Sequence, residues 1–126
     1  MNEIEIKLSG PFVTGKAGPA IAQMNDEIAE EVGRAAYAEV HTNLNASIKH
    51  PTPYYETQIE LVTVGRDRRV DDRGVIYGGW LEGTSSRNQS TKFKGYASFR
   101  RATQKVTRDV QRIAAPAVRR LIARLT

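Results

Sequence analysis

The chain has 126 residues, no cysteine and a formal net charge of +5 at neutral pH. That length predicts one domain, 1–126, with one modest core, and the absence of cysteine excludes a disulfide framework and any thiolate metal site. No run of about 18 apolar residues occurs, and the acidic opening lacks the basic and then apolar start of a secretion signal, so the expectation is a soluble protein of the reducing cytoplasm.

Ile4, Ile6 and Leu8 alternate with Glu3, Glu5 and Lys7, the period-two pattern of a half-buried strand. Gly10-Pro11 ends it, and Pro19 suits the first turn of a helix. Ile21, Met24, Ile28, Val32, Ala36, Val40, Leu44 and Ile48 then recur every three or four residues. They predict one apolar stripe on a helix of roughly 30 residues, ended by Pro51 and Pro53.

Tyr54 to Val64 is rich in β-branched and aromatic residues and reads as a strand with Thr57, Ile59, Leu61 and Thr63 on one face. A second strand is expected at Val75-Ile76-Tyr77. The link 65–74, with Arg66, Arg68, Arg69, Asp71 and Asp72, then forms a charged hairpin tip, with the strands extending partway into it as an alternative, and makes a solvated arm reaching from the body. Residues 78–95 read as an irregular loop anchored by Trp80, Leu81 and Phe93. From Tyr96 onward Phe99, Ala102, Val106, Val110, Ile113, Ala117, Leu121 and Leu125 predict a second amphipathic helix. Arg101, Lys105, Arg108 and Arg112 mark a basic stripe on another of its faces, and Pro116 is expected to kink or split it. The class is α+β: N-terminal strand, long helix, hairpin with a charged tip, irregular loop, and a C-terminal helix packed on a small sheet.

Charge is divided unevenly along this order. Residues 1–65 hold four basic and nine acidic side chains, whereas residues 66–126 hold fifteen basic and five acidic ones. Such asymmetry points to a partner of opposite sign: nucleic acid, an acidic protein surface, or the acidic half of a sister subunit. Head-to-tail contacts of the last kind form a ring when they close.

Candidate chemistry is sparse. Gly10 to Ala17 has P-loop spacing, but Ala17 stands where a magnesium-holding hydroxyl belongs and too few strands follow to build the parallel sheet. It reads as a Gly-rich link. Asp71-Asp72 beside Arg73-Gly74 reads as a turn, and His41 and His50 lie nine apart without a further ligand at metal spacing. No nucleophile triad can be assembled. The expectation is a protein that is not an enzyme and needs no cofactor or metal. Arg100, Arg101, Lys105, Arg108, Arg112, Arg119, Arg120 and Arg124 supply the charge to follow a phosphate backbone, though no nucleic-acid motif accompanies them.

The stretch Tyr77-Gly78-Gly79-Trp80-Leu81-Glu82-Gly83-Thr84, a polar loop, then Phe93 and Phe99 at the start of the last helix, is the most distinctive part of the chain. It resembles a family of small morphogenesis proteins of long-tailed phages, variously labelled neck, tail-completion, head–tail joining or minor tail proteins. Ser90-Thr91-Lys92 stands where that family often has a Pro-rich run. The resemblance implies a virion protein at the head–tail junction, assembled in the host cytoplasm. It would form a ring, expected to be a hexamer, between the head-closure connector and the tail-terminator or tail-tube protein. Tyr77, Trp80, Glu82, Gly83, Thr84, Phe93 and Phe99 become intersubunit or loop-anchoring residues. The basic face Arg101, Lys105, Arg108 and Arg112 either meets the acidic long helix of the next subunit or lines the channel that holds genomic DNA. A tail-terminator ring is the near alternative, and a small basic DNA-binding protein the alternative of another class.

Overall fold

A computed structural model describes residues 2–7, 18–47, 53–75 and 77–125. Their elements run β1 (Glu3–Ile6), α1 (Pro19–Ser47), α2 (Pro53–Thr57), β2 (Glu60–Val64), β3 (Asp67–Asp71), α3 (Gly78–Glu82), α4 (Arg87–Ser90) and α5 (Ser98–Leu125). The fold is α+β. One antiparallel sheet of order β1-β3-β2 carries the two long helices. Asn43 of α1 donates to the Ser98 carbonyl, while Arg120 of α5 pairs with Glu27 of α1. The two helices therefore run antiparallel.

Helix α1 supplies the core stripe that its spacing predicts: Val32, Ala36, Val40 and Leu44 are buried, together with Ala29. They meet Ile4 of β1, Val70 of β3, and Phe99, Ala102 and Val106 of α5. Ile48 lies outside the described residues, as do His50 and the P-loop-like segment 10–17. His41 lies in α1 with its ring tilted against that of Tyr37, the centroids 4.5 Å apart.

The hairpin sits elsewhere than the residue propensities suggest. The first half of the expected strand at 54–64 is the short helix α2, and only Glu60–Val64 is extended. Tyr55 and Ile59, four residues apart, are both buried, and that spacing is helical. The turn is Gly65-Arg66, flanked by the pair Val64↔Asp67. Gly65 stands at φ +61°, a conformation that two-residue hairpin loops require and glycine adopts without penalty.

The second strand is consequently β3, within the charged stretch, and not Val75–Tyr77. Val75 is irregular, Tyr77 lies in a turn, and Ile76 lies outside the described residues. Far from forming a solvated arm, β3 is the central strand, and Arg68, Val70, Asp71 and Asp72 are buried. The charges are tolerated there because each is ion-paired or, for Asp72, hydrogen-bonded by neutral donors. Arg68 Nη2 lies 2.7 Å from Asp26 Oδ1 and its Nε 2.9 Å from Glu30 Oε2, both on α1.

Two further expectations change. The segment 78–95 contains α3 and α4, and α5 is not split at Pro116 but continues past it as one helix of 28 residues. Pro116 removes one backbone donor, and the packing of Ile113 and Ala117 on the body keeps the helix continuous across it.

Candidate assembly surfaces

The segment from Tyr77 to Ala97 is a closed unit clamped onto the start of α5. Helix α3 ends at Gly83, whose φ is +103° and whose N–H reaches the Gly79 carbonyl at 2.9 Å. Thr84 donates to the same carbonyl through its N–H at 2.9 Å and its hydroxyl at 3.4 Å. The returning stretch of chain crosses directly over this turn. Tyr96 N donates to Leu81 O at 2.6 Å and Ala97 N to Glu82 O at 3.1 Å. A Cβ on Gly95 would collide with the Gly83 backbone, and one on Gly83 with the Lys94 carbonyl. Only two glycines allow that crossing.

Glu82 then reaches the first turn of α5. Its Oε1 accepts from Phe99 N and its Oε2 from Arg100 N, each at 2.9 Å. A carboxylate there satisfies two of the otherwise unpaired N–H groups and suits the positive end of the helix dipole.

Asn88, buried at the centre of the loop, closes it from within. Its amide donates to the carbonyls of Trp80 and Phe93, both at 3.1 Å, and its oxygen accepts from Ser85 N at 3.0 Å. Trp80, Phe93 and Tyr96 pack in series, tilted and then edge-to-face, with centroids 4.9 Å apart, and the Arg87 guanidinium lies 5.1 Å from the Trp80 ring centre. These aromatic residues are half-buried, and Tyr77 is exposed. Sequence reasoning singles out Trp80, Glu82, Gly83, Thr84 and Phe93 but misses Asn88. One polar residue in a polar loop carries no signal that it will be buried.

A second polar cluster fixes the loop to the sheet. Asp72 Oδ2 accepts from the Tyr55 hydroxyl at 2.9 Å and from Asn2 Nδ2 at 3.2 Å, and Asp72 Oδ1 accepts from Gly74 N at 3.0 Å. Asn2 also donates to Gly78 O at 3.0 Å. Burial first, and then the neighbouring Asp72 charge, push the Tyr55 phenol well above its ordinary value of 10. Asp71 is held by Arg69 Nε at 2.8 Å and by Arg73 N at 3.0 Å. Asp71 and Asp72 thus turn the chain out of β3.

The outer faces of α5 and of the sheet both carry charged groups, and on the sheet Glu5, Asp71 and Glu60 are paired with Lys7, Arg69 and Arg73. On α5 the 3.6-residue repeat puts Arg101, Lys105, Arg108, Arg112 and Arg119 on one outward face. Arg112 and Lys105 share Asp109, at 3.0 and 3.6 Å, and the Arg112 hydrogen bond lowers the Asp109 carboxyl below its ordinary value. Among the described residues Arg100, Arg108 and Arg119 have no acidic partner.

On the sheet, the register aligns Ile4, Val70 and Leu61, and next to them Ile6, Arg68 and Thr63. Arg68 faces α1, so this set looks toward the helices. The alternate set, Glu3, Glu5, Glu60, Val62, Val64, Asp67, Arg69 and Asp71, forms the outer face.

Several acidic groups of α1 are already engaged within the subunit: Asp26 and Glu30 by Arg68, and Glu27 by Arg120. No cluster of three or more metal-ligand side chains occurs among the described residues, and no helix there is long and apolar enough to cross a membrane. No family model matches this chain, and no match is found among curated proteins or solved structures.

Proposed function

We propose that this chain is a structural subunit of a tailed phage, forming a ring at the head–tail junction between the connector and the tail tube, and that it performs no catalysis. The observation that carries the reading is the Tyr77–Phe99 segment. The residues on which the phage-family resemblance rests are those that shape this segment. Glu82 caps α5, Gly83 makes the turn and Thr84 closes it, while Trp80 and Phe93 pack against each other within the loop. A rigid, aromatic-bearing loop braced on a long helix is suited to presenting a fixed surface to neighbouring protein rings.

The test is electron microscopy of lysates from the parent phage with this gene deleted. Filled heads beside separate tails of normal length are the expected result. Overlong tails would assign the chain to the tail terminator. Intact infectious particles would remove it from the neck.

A further inference from the structure

The 28 residues of α5 hold eight basic side chains and one acidic one, Asp109. Successive helix positions turn by about 100°, so Arg101, Lys105, Arg108, Arg112 and Arg119 fall within an arc of about 60°. All five are exposed, and the helix continues past Pro116 without breaking their row. At about 1.5 Å per residue the row is about 27 Å long. Exposed Gln104 and Gln111 lie on the far side of Arg108 from Lys105. Asp109 borders the row and draws on Lys105 and Arg112, whereas Arg108 and Arg119 have no acidic partner among the described residues. Val110 lies on the opposite side of the helix, toward Ile4 and Val32.

We infer that the outer face of α5 binds the phosphate backbone of double-stranded DNA without regard to sequence. Duplex DNA is a regular line of negative charge, and guanidinium groups meet phosphate oxygens through both charge and paired hydrogen bonds. Gln104 and Gln111 add neutral donors of the kind that reach phosphates. An acidic protein surface is the poorer match, because protein interfaces centre on aromatic and apolar anchors. Between Arg100 and Arg112 the outer face has none, and the exposed Val118 and Ile122 lie further along the helix. Base reading is disfavoured by the packing. Helix α5 is flanked by α1 from Asn43–Ser98 at one end to Glu27–Arg120 at the other, and the major groove admits little more than one helix. The inference is separate from the ring reading, and either can fail while the other stands.

The experiment is fluorescence anisotropy of the full chain with two labelled duplexes of unrelated sequence, from 50 to 200 mM salt, with circular dichroism to verify folding. Both duplexes are expected to bind equally. With about three to five phosphate contacts, the affinity should fall about 40- to 500-fold over that range. R108Q/R119Q removes two contacts, and its log–log salt slope is expected to be shallower by about 1.8. R34Q/R73Q lowers the net charge equally at two arginines that are already ion-paired elsewhere, and is expected to keep the wild-type slope. Absence of binding at 50 mM overturns the proposal, as does an R108Q/R119Q slope equal to that of the wild type. Equal losses in the two double variants would mean that net charge alone attracts DNA, and the assignment to this face falls. If the wild type leaves DNA free while R108Q/R119Q disrupts self-assembly in sedimentation velocity, the face serves protein; the proposal then falls and the ring stands.

Discussion

Glu82 and Phe99 are joined across 17 residues by a hydrogen bond of 2.9 Å from the Phe99 N–H to the Glu82 carboxylate. Because the second oxygen takes Arg100 N at the same distance, one side chain both starts α5 and ties the loop to it. Substituting Glu82→Ala is expected to cost about 1–2 kcal/mol, in the range of a lost helix cap. Glu82→Gln, which keeps one acceptor but loses the charge, is expected to cost less. Urea unfolding of the two variants gives the ranking. Equal losses would mean that the charge contributes nothing at this helix end.

The Gly83–Gly95 crossing predicts a contrast among glycines. Gly95→Ala puts a methyl into the Gly83 backbone, where no side chain can rotate away. It is expected to destabilise by well over about 1–2 kcal/mol, the cost of an unsuitable backbone conformation alone. Gly65 also has positive φ, but a methyl there would meet nothing within 4 Å. Gly65→Ala is therefore expected to show only the conformational cost, about 1–2 kcal/mol. Thermal unfolding of the pair separates crowding from backbone strain.

Much of this architecture is legible in the sequence because apolar periodicity reports burial directly. Val32, Ala36, Val40 and Leu44 on α1 and Phe99, Ala102 and Val106 on α5 are both periodic and buried. β3 escapes that logic. Its inward positions alternate Arg68 with Val70, and a buried arginine looks like a surface one until Asp26 and Glu30, about 40 residues earlier in a different element, are brought against it. The aromatic and β-branched run at 54–64 misleads for the opposite reason: Tyr55 is buried from a short helix, with its hydroxyl on Asp72. The loop residues that make the turn are readable from glycine and aromatic identity, whereas Asn88 and Asn2 act through long-range partners that local composition does not encode.

Arg68 links β3 to α1 and makes acid stability testable. Its hydrogen bond is the main reason that the Glu30 carboxyl lies below its ordinary value of 4.5. A carboxyl depressed in the folded state contributes stability that is complete above the unfolded value and lost as pH falls through the lower folded one. Below about pH 4.5 the wild type should therefore lose stability more steeply than Glu30→Gln, which has no such group to protonate. At neutral pH Arg68→Ala is expected to cost about 1–3 kcal/mol, less than for a fully buried pair because Asp26 remains largely solvated. Denaturant midpoints from pH 7 to pH 3 supply both comparisons, and parallel pH profiles for wild type and Glu30→Gln would exclude the linkage.

Tyr55 supplies the alkaline counterpart. Its hydroxyl donates to the buried Asp72 carboxylate, and a hydrogen bond to a charged group is worth about 1.5–3 kcal/mol. Asn2 still donates to the same oxygen when the hydroxyl is gone, so Tyr55→Phe is expected near the lower end of that range. The pH dependence follows from burial, which keeps the phenol protonated well above 10 in the folded chain. Stability from a group whose folded value is raised is present below the unfolded value and disappears as pH rises through the folded one. The wild type should thus weaken above pH 10 more steeply than Tyr55→Phe, so the gap between them narrows with rising pH. Unfolding midpoints at pH 7, 9 and 10.5 measure that gap. A constant difference would show that Tyr55 ionises as readily in the folded chain as in the unfolded one, and that the Asn2–Tyr55–Asp72 cluster does not hold its proton.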